Sequence, residues 1–186
     1  MMNELNFKEK SMPIVMGHLL IKDATTGDVL IDKRNAIHYE NMSIAIVKAL
    51  AQQQEGHIFE MAFGNGGAVV NGIGSIDYQR PNVVGQSAQL YNETYRKEIS
   101  ETDIEVRHTA GDLYTDMIIM VTLGFGEPIG QSAFDDTTNM NDDYVFNEIA
   151  LKSFDGNQLT HVIFSPTQKS LNRIIEIYYT IRISMC

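Results

Sequence analysis

Four groups of residues have types and spacings from which chemistry could be built. Gly64-Asn65-Gly66-Gly67 is dense enough in glycine to cradle a phosphate. A Walker loop, however, needs Gly-Lys-Ser/Thr entering a helix, and a dinucleotide fingerprint needs G-x-G-x-x-G between a strand and a helix. Ala68-Val69-Val70-Asn71-Gly72 follows instead, so these glycines are expected to end a strand in a tight turn. The stretch Asp135 to Asp143 is rich in hard oxygen ligands. Counted as an EF-hand loop it places Met140 where glycine is required and Phe146 where glutamate is required, so that motif fails. Asp135, Asp136, Asp142 and Asp143 remain candidates for an irregular calcium site, against a default of a solvated acidic loop. His18, His38, His57, His108 and His161 show neither HxH nor HExxH spacing, which disfavours a catalytic zinc; each is expected to be a half-exposed strand or loop residue. Cys186, the single cysteine, has no basic or helical context to activate its thiol. Glu101 and Asp103 would suit a glycosidase only if the fold separated them correctly, and Ser-Glu-Thr-Asp is ordinarily a turn. With no G-x-S-x-G elbow and no tryptophan, the expectation is no catalytic residue, no cofactor and no metal.

The elements that would position these residues are mostly strands. Ile14 to Lys22 and Val29 to Asp32 flank Thr26-Gly27-Asp28, a β-hairpin in which Gly27 supplies the positive φ. Tyr39 to Gln53 changes period, with Ile44, Val47 and Leu50 at three-residue steps. This predicts one amphipathic helix at about 40–53, capped by Asn41 or Ser43. His57 to Phe63 alternates, placing Phe59, Met61 and Phe63 on one side. Residues 68–92, with Gly72, Gly74, Pro81 and Gly85, read as a long loop of the kind that is functional or an interaction arm. Asp116 to Phe125 and Ile175 to Met185 are strongly alternating, and Tyr144 to Leu151 and Leu159 to Phe164 are shorter runs. Many short strands with turns between them predict a mainly β fold, an antiparallel β-sandwich (jelly-roll-like) spanning 13–186, preceded by an arm at 1–12. The expected core includes Phe59, Phe63, Ile119, Val121, Ile177 and Ile181; the expected turn glycines are Gly27, Gly64 and Gly66.

Composition narrows the function classes. The 186 residues are 44% hydrophobic and 20% charged, enough apolar content for a real core. No apolar run is long enough to predict a membrane span, and the polar N-terminus does not read as a secretory signal. A formal charge of -10 argues against binding nucleic acid over a broad face, which relies on Lys and Arg.

A family likeness adds to this reading. A hairpin with Thr26-Gly27-Asp28-Val29-Leu30 leads through Asn35-Ala36-Ile37-His38 to a helix and then to Phe63-Gly64-Asn65-Gly66-Gly67. Near the C-terminus, Asn147-Glu148-Ile149-Ala150-Leu151 precedes Leu159 to Pro166, then Gln168-Lys169-Ser170 and a long Ile/Tyr strand. Over about 14–185 this order resembles virion structural proteins of tailed bacteriophages. The resemblance implies a non-enzymatic subunit that assembles as a homo-oligomer with other virion structural proteins. The neck, collar or tail region is favoured over a capsid decoration protein or a baseplate or fibre adaptor. It implies a place in the virion, assembled in the bacterial cytoplasm, and no sequence-specific nucleic acid or membrane as partner. Residues 68–92 are not part of the shared pattern and are expected to be the subunit's own interaction arm. A carbohydrate- or calcium-binding sandwich module is the reading from a different class.

Overall fold

A computed structural model describes residues 12–131 and 143–185. The arm before Met12, the calcium candidates Asp135, Asp136 and Asp142, and Cys186 lie outside the described residues; Asp143 is exposed. In chain order the elements are β1 (Pro13–Asp23), β2 (Val29–Arg34), β3 (Ala36–Ile37), α1 (Tyr39–Leu50), β4 (Ile58–Gly64), β5 (Ala68–Val70), β6 (Ile76–Tyr78) and β7 (Glu93–Glu98). They continue with β8 (Ile104–Arg107), β9 (Tyr114–Leu123), β10 (Val145–Ser153), β11 (Thr160–Gln168) and β12 (Ile175–Met185). Two five-stranded antiparallel sheets, ordered β2-β1-β12-β9-β8 and β3-β11-β10-β4-β7, form a β-sandwich; β5 and β6 make a separate two-stranded ribbon.

Alternation along β9 and β12 turns Ile119, Val121 and Leu123, and Ile175, Ile177, Tyr179 and Ile181, into the sandwich. They face Met61, Phe63, Ile149, Leu151, Val162 and Phe164 of the other sheet. Burying each such side chain contributes roughly 1.5–3 kcal/mol, which makes this layer the main source of stability. One polar thread crosses it. Asn35 donates from Nδ2 to the Tyr179 hydroxyl at 2.7 Å, and that hydroxyl donates to Thr160 Oγ1 at 2.7 Å. Asn35 stands where the chain passes from β2 in one sheet to β3 in the other, so the thread fixes the crossing. The predicted hairpin forms with Gly27 at φ +79°.

Several expectations change. Phe59 is half-buried and outside the core; it packs edge-on against Phe154, with ring centroids 4.9 Å apart. The cause is a register shift of β4 against β10 between Lys152 and Ser153, which brings Ile58 towards the core instead. The helix forms, but it buries Asn41, Met42 and Ala45, while Val47 and Leu50 are 65% and 81% exposed. Gly56 explains the choice of face: its chain crosses so near α1 that a Cβ there would lie 2.5 Å from the Ala45 carbonyl oxygen. The helix cap is neither Asn41 nor Ser43 but the buried His38, whose Nδ1 accepts from the Asn41 N–H. Finally, 68–92 is not a plain loop. It contains the β5–β6 ribbon and lies over the outer side of the β10 sheet, so β10 is buried along its whole length.

Candidate functional site

The chemistry-bearing residues converge where this excursion meets β10. A β-bulge between Phe146 and Glu148 adds a residue to the strand, so that Phe146 and Ile149 both join the core. Asn147 and Glu148 are thereby both turned to the main chain of the excursion. Asn147 Oδ1 accepts from the Gly67 N–H at 2.8 Å, and its Nδ2 donates to the Asn65 carbonyl at 2.9 Å. Glu148 accepts four hydrogen bonds. Oε1 takes the N–H groups of Gly66 (3.0 Å) and Asn92 (2.9 Å); Oε2 takes the Tyr91 N–H (3.0 Å) and His161 Nε2 (3.0 Å).

The other nitrogen of His161 fixes its tautomer. Nδ1 lies 2.8 Å from the Asn82 N–H and must accept, so the proton sits on Nε2 and is donated to Glu148. Glu148 and His161 are both fully buried. Burial pushes the Glu148 carboxyl up, but the His161 bond and the Asn92 and Tyr91 N–H groups outweigh it and hold the pKa below its usual value.

The glycines allow the approach. A Cβ on Gly66 would lie 2.6 Å from the Asn92 nitrogen, and one on Gly64 would collide with the Asn92 carbonyl oxygen and the Glu148 carboxylate. Gly64 and Gly66, expected as turn glycines, do not have positive φ; they are needed for close approach to a buried carboxylate. Further ties reinforce the junction. His38 Nε2 reaches the Gly85 carbonyl at 2.9 Å, and Asn41 Nδ2 donates to the carbonyls of Gln86 and Gln158. Lys152, almost fully buried, is neutralised by Glu93 at 2.6 Å. Leu90 packs with Ala62 and Ala150 beneath it.

A general acid–base pair must reach a substrate. Glu148 and His161 have every relevant position engaged by the protein and none open to solvent, so together they act as a latch. What the latch positions is exposed. The ribbon's base is held by the Tyr78 hydroxyl near Ser165 Oγ at 3.0 Å and by the Gln79 N–H on the Gly67 carbonyl. Val69 and Val70 stand largely in water, Ile73 at the tip is 90% exposed and Val84 beyond it is 84% exposed. A run of apolar side chains rigidly held in solvent marks an interaction surface.

The remaining candidates do not gather. His18 pairs with Asp32 on an exposed strand, His57 is exposed and His108 meets the Tyr114 carbonyl. His38 and His161 were expected to be half-exposed; the structure buries both because each bridges two chain segments. Glu101 and Asp103 form the expected turn, a single turn of 3-10 helix in which Asp103 caps Ser100. Among the described residues no three His, Cys, Asp or Glu side chains come together as a metal site, and no helix is long and apolar enough to cross a membrane. Sequence reasoning missed Glu148 as the central residue. Its available signal was a lone carboxylate inside the apolar run Val145 to Leu151. Compared with family models, curated proteins and solved structures, the chain matches none.

Proposed function

We propose that this chain is a non-enzymatic structural subunit of a tailed bacteriophage particle, an oligomer-forming component of the neck, collar or tail region. The observation that carries the assembly reading is the projecting β5–β6 ribbon, anchored by a saturated buried carboxylate while Val69, Val70 and Ile73 face water. A two-stranded hairpin is marginally stable alone, so fixing one on a body so firmly makes sense when a second surface must meet it in register. The sequence likeness to virion proteins supplies the particle. In that role the subunit contacts copies of itself and other virion proteins through apolar side chains, with no reaction to perform.

Light scattering on the purified chain, together with antibody labelling of intact particles, tests the reading. A defined oligomer and labelled particles are expected. The variant Val69→Asp/Ile73→Asp, whose changes lie on exposed positions, should fold normally and be missing from particles. A strict monomer absent from particles, or a variant incorporated as well as the parent chain, would refute the proposal.

A further inference from the structure

A second surface lies at the other side of the molecule. A cavity of about 550 Å³ opens between α1 and the edge of the sandwich, walled by Met42, Ala45 and Ile46 of the helix and by Ile183 of β12, with the exposed His57 and Glu101 completing it. Ile46 joins this cavity to the uncovered side of α1, where Tyr39, Val47 and Leu50 are exposed. That size and lining suit an apolar guest, and a helix face left bare beside it invites one.

The chain's own N-terminal residues fit. Pro13 pairs with Met185 and Val15 with Ile183, so the chain preceding β1 leaves the sheet at the cavity's end. Residues 1–11 can span up to about 36 Å when extended. They supply Leu5 and Phe7 as apolar groups, and Lys8 and Lys10 balance Glu4 and Glu9. In a chain of formal charge -10 this segment is therefore not repelled by the acidic wall at Glu101, and its lysines can pair there. β1 points the segment away from its own molecule. Folding back would need a tight reversal, and residues 1–11 contain neither glycine nor proline to form one. We propose that the cavity beside α1 receives residues 1–11 of a neighbouring copy of this chain, with Phe7 in the apolar part. This rests on the assembly reading and names a contact that the ribbon does not make.

Disulfide trapping in the full-length chain tests it. With Cys186→Ser as background, chains carrying Phe7→Cys are co-expressed with chains carrying Ile46→Cys, and Ile129→Cys at the opposite end of the sandwich serves as the collision control. A covalent dimer joining one chain of each kind, absent with Ile129→Cys, is the expected result. An intrachain disulfide in the Phe7→Cys/Ile46→Cys double variant without the mixed dimer, equal trapping by the control, or no disulfide would each overturn the proposal. Light scattering separates the two readings: a chain that oligomerises yet gives no mixed dimer refutes the arm placement alone, and a strict monomer refutes both.

Discussion

Replacing Glu148 with glutamine keeps the side chain's volume and removes one acceptor atom. Whichever way the new amide is turned, its NH₂ group faces two N–H donors: Tyr91 and His161 on one side, or Gly66 and Asn92 on the other. His161 cannot relieve the conflict by changing tautomer, because its Nδ1 is committed to the Asn82 N–H. Each buried N–H left without an acceptor costs about 1–3 kcal/mol, so the variant should lose about 2–6 kcal/mol. At a urea slope of about 2 kcal/mol/M for a domain of this size, the unfolding midpoint should fall by about 1–3 M. If the excursion detaches before the sandwich unfolds, the loss appears locally: amide exchange at Asn65, Tyr91 and Asn92 should accelerate at least about 30-fold, the equivalent of 2 kcal/mol. An unchanged midpoint together with unchanged exchange would show that Glu148 is not the anchor.

Three other outcomes are expected. The folded-state pKa of Glu148 is depressed, so its ionised form contributes stability above the usual carboxylate range, and this is lost as pH falls through the folded value. The difference in melting temperature between the parent chain and Glu148→Gln should therefore shrink on acidification, and a gap that stays constant into strong acid would contradict this. Burial pushes the fully buried Lys169 down to about 8 from 10.5, against the pull of Glu127. The unfolded chain then holds the extra proton between those values, so stability should rise with pH across that window, and Lys169→Met should lack the rise in a series of thermal melts. Gly27→Ala should cost about 1–2 kcal/mol for its left-handed backbone and be eased by Gly27→Asn. At Gly66, alanine should cost about 1–3 kcal/mol through collision with Asn92 and Tyr91, and asparagine should be worse. Denaturant melts that rank the two sites alike would refute the distinction.

The sequence by itself determined whatever depends on near neighbours along the chain. Alternation at Ile119 to Leu123 and Ile175 to Ile181 defined inward faces, since a strand turns every second side chain the same way. Gly27 marked its hairpin because only local backbone strain was at issue. Tertiary structure decided the rest. Both sides of α1 carry apolar residues, and the buried one is set by the chain crossing at Gly56, not by helical period. The sequence shows β10 as an apolar run with a carboxylate inside it, and nothing local tells that a distant segment covers its second face. Glu148 became an anchor only when residues 66, 91, 92 and 161 were brought within 3.0 Å of it. A buried carboxylate is tolerable only with such donors around it, and those donors are main-chain groups whose position no side-chain pattern encodes.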